Sequence, residues 1–273
     1  MTDLPPGVRH QLDEWELTED GPVTHGSAST ATFVRTSDGA PAVLKIAVAG
    51  GSDHEHLALR RWGGVGAVRL LRADPHRRAL LLERLGTQNL DSLWDVEACE
   101  LVADSYRRLH VAALPQLRSL TSDVERWIED FEKLPRSAPV PRRLVEQAVT
   151  TGRDLVSIRG ADVLLHGNLH YRKLIAGERE PWLAIGPQPV NGDPHAEMAP
   201  MLWHRWDELE GNVRAGVRTR FHALVDAAGF DEARARAWTT VQVMHRAVRV
   251  IEGGATASDE LTRYVAIAKA VQD

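Results

Sequence analysis

The sequence predicts an α+β chain in which a small antiparallel sheet lobe precedes a larger helical lobe. Three observations carry that reading. Short apolar runs separated by turn residues fill the first third. From about Ser92 onward, apolar residues recur at three- and four-residue spacing. One stretch, from Val163 to Ile185, interrupts the helical pattern with short apolar runs and polar loops.

Ala31–Thr36 and Pro41–Ile46 flank the turn signal Ser37-Asp38-Gly39 and read as a hairpin. Upstream, the small residues of 24–30 read as a turn, with close approach to a ligand as the alternative. A helix is expected over Asp53–Trp62, where Leu57, Leu59 and Trp62 are apolar. Strands follow at Ala67–Leu71 and Ala79–Glu83, separated by the turn Ala73-Asp74-Pro75-His76. The result is a five-stranded sheet with one inserted helix. It ends near Arg84, so the lobes divide as 1–84 and 85–273. Helices are expected at Glu97–His110, Ser122–Leu134, Arg142–Ile158, Arg214–Ala228, Ala233–Glu252 and Ala257–Ala270. Pro135, Pro139, Pro141, Gly229 and Gly253-Gly254 punctuate them. Inside the helical lobe, Val163–His166 and Trp182–Ile185 lie on either side of the turn Gly177–Glu180. Loops held on a rigid scaffold are where function concentrates.

Composition narrows the function classes. The 273 residues carry a formal net charge of -5, with no basic footprint, so nucleic acid is not an expected partner. No uninterrupted apolar run approaches the length of a membrane span. The first residues lack the basic and apolar regions of a signal peptide. With a single cysteine, Cys99, this gives a cytoplasmic expectation. Cys99 sits in the helical run Ala98–Ala103 and reads as a small buried apolar residue rather than a reactive thiol. No Gly-x-Ser-x-Gly elbow supports acyl transfer.

Three features in order follow the kinase plan: Lys45 on a strand, Glu55 at the start of the next helix, and the loop His166-Gly167-Asn168-Leu169-His170. In protein kinases the strand lysine reaches nucleotide phosphates and is held by the helix glutamate. A loop aspartate serves the substrate hydroxyl, and an asparagine and a later aspartate bind metal. Each of Lys45 and Glu55 alone is ordinary surface charge; their order in a strand–helix–strand context favours nucleotide.

The segment His166-Gly167-Asn168-Leu169-His170-Tyr171-Arg172-Lys173, with Ile185-Gly186-Pro187, Gly192-Asp193-Pro194 and Ala199–Asp207, closely resembles the aminoglycoside phosphotransferase superfamily. Within it, the chain is most similar to the streptomycin and hydroxyurea phosphotransferases, antibiotic-resistance enzymes, from about residue 17 to the C-terminus. The resemblance implies a two-lobed protein-kinase-like fold and transfer of phosphate from ATP to an alcohol group. Active members read His-Gly-Asp-x-His-x-x-Asn and Ile-Asp-Pro. Position by position, the catalytic base falls on Asn168, and the two metal-binding positions fall on Lys173 and Gly186. His166 and His170 are the loop histidines, read as hydrogen-bonding scaffold. Glu83 and Arg84 fall where backbone groups would meet adenine. Asp193, Glu197, Trp203, Trp206 and Asp207 fall in the region that supplies acids and aromatics to a cationic, hydroxyl-rich substrate. Asp193 there looks structural, Glu197 stands where relatives usually have Asp, and for Asp207 a solvated helix face over two core tryptophans, Trp203 and Trp206, is the plainer reading.

The three replacements have separate consequences. An amide cannot take a proton near neutral pH, and losing a general base costs on the order of 10² to 10⁴ in rate. Gly186 has no carboxylate for Mg²⁺. Lys173 puts a cation where a metal ligand belongs, so Mg²⁺ is disfavoured there. Two orientations of Lys173 stay open: it points to solvent, or its ammonium takes the place of the metal and binds nucleotide phosphates directly. His166, His170, His195 and His204 lack the helical context and glutamate of a zinc-protease motif, and no zinc is expected. The sequence therefore points to a pseudokinase holding ATP without Mg²⁺, or another small molecule. A residual or altered phosphotransferase and a non-catalytic scaffold for a protein partner are the alternatives.

Overall fold

The computed structural model describes residues 5–26, 28–48, 53–158, 160–254 and 258–272. The chain divides into two compact units: Met1–Asn89 with Lys173–Pro189, and Leu90–Arg172 with Val190–Asp273.

The first unit opens with α1 (Pro6–Glu14) and β1 (Thr18–His25), neither of which the hydrophobic pattern reveals. β1 is the fifth strand the sequence left unassigned, and its mixed, mostly exposed pattern explains why. β2 (Ser29–Arg35), β3 (Pro41–Ala47), α2 (Glu55–Trp62), β4 (Leu70–Asp74) and β5 (Ala79–Glu83) follow. The sheet is antiparallel in the order β1-β2-β3-β5-β4. Strand alternation sorts its faces. Ala42 and Leu44 of β3 join Val8, Leu12 and Trp15 of the N-terminal segment in one core, leaving Lys45 directed to the opposite face.

Two expectations shift. The strand expected at Ala67–Leu71 begins only at Leu70, because Ala67 and Val68 instead pair with Ala184. The boundary at 84 also moves. β7 (Leu174–Ala176) and β8 (Trp182–Ala184) form a hairpin whose backbone bonds run to Gly66, Val68, Gly86 and Gln88, at 2.9 to 3.0 Å. Those bonds draw 173–189 out of the helical lobe and into the sheet unit.

The second unit contains α3 (Asp95–Leu109), α4 (Leu120–Lys133), α5 (Arg142–Ser157), α6 (Ala199–Trp203), α7 (Val213–Ala228), α8 (Glu232–Glu252) and α9 (Asp259–Ala270). β6 (Val163–Leu165) pairs antiparallel with β9 (Val190–Gly192). α8 buries Trp238, Val241, Met244 and Val248 among α4, α5 and α9. Gly229 ends α7 in the left-handed region at φ 68°. Residue 257, where the last helix was expected to start, lies outside the described residues, as does Ser27 of the small-residue run. No helix among the described residues is long and apolar enough to cross a membrane.

Candidate functional site

The first unit holds Lys45, Glu55, Glu83, Lys173 and Gly186. Helical spacing sets Glu55, Ala58, Leu59 and Trp62 on one buried stripe of α2, with Glu55 at its head. The carboxylate receives Lys45 Nζ through both oxygens, at 2.8 and 2.6 Å, and is 3% exposed. A charge-assisted bidentate contact of this kind fixes the lysine tip.

Ile185 N donates to the Lys173 carbonyl at 2.9 Å, which brings residues 173 and 186 side by side. Gly186 has φ +60°, and a Cβ built there would lie 2.9 Å from Lys173 Nζ and 3.7 Å from Lys45 Nζ. Lys173 is therefore turned inward, which excludes the solvent-pointing orientation. Burial, with the Lys45 charge second, lowers its pKa below the ordinary lysine value, while Glu55 opposes the shift. The family's Mg²⁺ does not fit this arrangement. Two ammonium groups flank the position that would carry the carboxylate. An anion fits better. Lys45, Lys173 and Glu55 leave one net positive charge around a glycine backbone.

Glu83 is occupied by a partner that the sequence did not suggest. Arg179, in the β7–β8 turn, donates to both Glu83 oxygens and also reaches Ala67 O at 2.6 Å. The Glu83 backbone N–H bonds Arg69 O at 3.0 Å, so that donor is already used. The carboxylate anchors the hairpin. No local pattern links residues 83 and 179, so only the tertiary structure exposes the pair.

The second unit holds the loop 166–170. Gly167, at φ 77°, takes the turn after β6 that other residues would resist. Glu197 braces it: the N–H groups of His166 and Gly167 donate to its two oxygens at 2.6 and 2.8 Å. Burial alone would raise the Glu197 carboxyl, but His110, 3.6 Å away, and the loop donors hold it below its ordinary value. At 1% exposure, Glu197 supports the loop and is not placed to meet a substrate. His166 is fully buried and accepts from Asn168 N at 3.3 Å, while the Asn168 side chain is half-buried.

Asp193 is likewise committed internally. It caps the turn Pro194–Met198, accepts from His195 N at 3.0 Å and Nδ1 at 2.6 Å, and pairs with Arg234. Burial opposes ionisation, but these donors prevail and hold its pKa well below the carboxylate range. Its placement is structural.

The remaining candidates share a cavity of about 170 Å³ lined by His170, Trp203, Trp206 and Asp207, together with Asp91, Tyr171, Arg172, His204, Arg205 and Arg263. His170 and His204 stack at 3.6 Å. Trp203 is 7% exposed and packs edge-on to Tyr264, so it forms the wall, whereas Asp207 is exposed. Arg172 pairs with Asp91 at 2.6 Å, and Arg263 lies over the Trp206 ring at 5.6 Å. Three arginines against two carboxylates make this lining different from the acidic surface expected for a cationic ligand.

Residues 14–254 match the family model of the aminoglycoside/hydroxyurea antibiotic resistance kinases. The chain is 38% identical over 264 residues to streptomycin 6-kinase of Streptomyces glaucescens, covering 94% of this chain and 86% of the relative. It is 36% identical to hydroxyurea phosphotransferase of Kitasatospora aureofaciens, covering 97% and 78%. The crystal structure of aminoglycoside phosphotransferase APH(4)-Ia superposes with a TM-score of 0.67 at 14% identity, over 97% of this chain and 98% of that one, which is a likeness of fold. From these matches and the sheet-plus-helical architecture, the chain belongs to the aminoglycoside/hydroxyurea antibiotic resistance kinase family and carries its phosphotransferase fold.

Proposed function

We propose that this chain binds the phosphates of a nucleotide on the Lys45–Lys173 pair without Mg²⁺, and that orthodox phosphoryl transfer is disabled. One observation carries the reading: Lys173 Nζ lies 2.9 Å from where a side chain at 186 would begin. A cation thus occupies the ground that a metal-binding carboxylate holds in active relatives. Phosphoryl transfer depends on positioning and charge stabilisation around metal and phosphates. Lysine supplies the charge but not the octahedral template. Asn168 removes the base as well, at a cost of about 10² to 10⁴ in rate. The single buried thiol and nucleotide use support a cytoplasmic setting.

The test is thermal stability with ATP, with ATP plus Mg²⁺ and with Mg²⁺ alone, on the wild type and Lys173→Asn. Stabilisation by ATP without Mg²⁺ that weakens in the variant is the expected result. Stabilisation that requires Mg²⁺ would overturn the reading, and no stabilisation would leave a protein-binding scaffold.

A second reading, an altered phosphotransferase acting on an alcohol group of an aminoglycoside-like antibiotic, is favoured by the 38% identity to streptomycin 6-kinase and by the intact Glu197 brace. Phosphorylation of streptomycin, followed by mass spectrometry, separates the two: product above the uncatalysed rate selects the second.

A further inference from the structure

We infer that the second unit carries a further ligand site, a groove where α5, α7 and α9 meet, for a small anion with an apolar body. The groove shares no lining residue with the cavity at His170 and Trp206. Its volume of about 540 Å³ falls within the roughly 300–1,000 Å³ usual for small-molecule sites.

The lining sorts into two chemistries. Leu144, Val213 and Ala266 offer an apolar floor, while Arg143, Arg214 and Lys269 each bring a cation from a different helix. No acidic residue among the described ones lines the groove, so these cations set its charge, on a chain whose net charge is -5. A positive concavity on an acidic chain concentrates anions.

The backbone adds to the same sign. α5 and α7 both meet the groove with first-turn residues, and neither helix has a side-chain cap or an acid in its first turn. The positive end of a helix dipole favours an anion there. Arg143 and Arg214 instead stand at the second position of each helix, where the dipole disfavours a cation. Two helices with the same unfavourable placement open on one groove, and a bound anion relieves both. Gln272 gives a separate sign: it lines the groove, and its Nε2 donor is buried without a hydrogen-bond partner. A donor left over at that place calls for an acceptor.

Head and body are both needed to use this lining. A bare anion meets the cations and leaves the apolar floor uncovered, whereas an uncharged body covers the floor and leaves Gln272 and the cations unanswered. An anionic head on Arg143, Arg214 and Lys269, with a short alkyl or ring body over Leu144, Val213 and Ala266, satisfies both halves. Carboxylate and phosphate heads share this chemistry.

The experiment titrates the full chain with octanoate and with octyl phosphate by isothermal calorimetry, alongside octanol, octylammonium and acetate. The expected result is saturable binding of an octyl anion that weakens with added salt, and none of the other three compounds. The tighter of the two anions identifies the head group. Arg143→Gln/Lys269→Gln should weaken that binding by roughly three- to thirtyfold with the melting temperature unchanged. Lys133→Gln/Arg153→Gln, the same charge loss at other exposed positions, should leave it as it is. Equal binding of octanol or acetate, or an equal loss in both double variants, would overturn the inference. So would no binding at all. Binding seen only in Asp273→Asn would overturn it too, because the chain itself would then meet the groove's charge.

Discussion

The Lys45–Lys173 cluster and the 166–170 loop depart from the family motif in different ways. Around Gly186 the electrostatics is rewritten: a carboxylate position is empty and an ammonium points into it. Around Gly167 the loop is braced from within, with Glu197 gripping two backbone N–H groups and His166 buried beneath the loop, and Asn168 stands at the base position of the family motif. The difference follows from what each set of groups does for folding. Glu197 satisfies buried backbone donors, so its loss is felt by the whole unit. A metal carboxylate satisfies only the metal, and its removal costs the fold little.

The strongest way to break this comparison is to reverse the replacements at positions 168, 173 and 186. The triple variant Asn168→Asp/Lys173→Asn/Gly186→Asp should regain Mg²⁺-dependent transfer to streptomycin, with roughly 10² to 10⁴-fold contributed by the restored base. Gly186→Asp alone should regain none. Its carboxylate would pair with Lys173 Nζ, and its backbone would sit at φ +60°, costing about 1–2 kcal/mol. Equal activity from the single and triple variants would refute the charge argument.

On the scaffold side, Glu197→Ala strands the His166 and Gly167 donors and should lower unfolding free energy by roughly 3 kcal/mol in urea titration. A loss below about 1 kcal/mol would mean that the brace is dispensable.

The second unit should also show a pH response. His245 stacks on Trp127 at 4.1 Å, and burial, followed by Arg246 and Arg249, lowers its pKa to about 4. The unfolded chain, near the ordinary value of 6.5, then binds the proton more tightly than the folded one. Stability from this group is complete above pH 6.5 and should fall as pH drops towards 4, by about 1–2 kcal/mol after allowance for partial exposure. His245→Gln should flatten that slope, measured by denaturation at several pH values. The smallest effect is expected at Arg172→Ala. Its pair with Asp91 is 72% exposed on the arginine side and should contribute less than about 1 kcal/mol.

Much of this was legible in the sequence where the signal is periodic or local. The helices from Asp95 to Ala270, the short α6 apart, match their apolar spacing to within a few residues, because each buries a stripe. Lys45 and Glu55 were found from their order, and the loop from its motif. The rest needed long-range contacts. β1 is too exposed to show alternation, and α1 is closed by a core shared with distant strands. Segment 173–189 changes unit through backbone pairing, which leaves no compositional trace. Asp193 already looks structural in sequence, whereas Glu197 looks like a substrate acid and only its buried donors identify it as a support.

Cys99 is buried, and burial, with Asp95 second, pushes its thiol pKa up to about 12. The chain thus arrives as a chemically silent background for maleimide labelling. A cysteine installed at exposed Arg172 and another at exposed Arg35 would take a dye pair without removing any native residue from the core. Single-molecule energy transfer could then follow the two units as ligand is added, using the wild-type packing throughout.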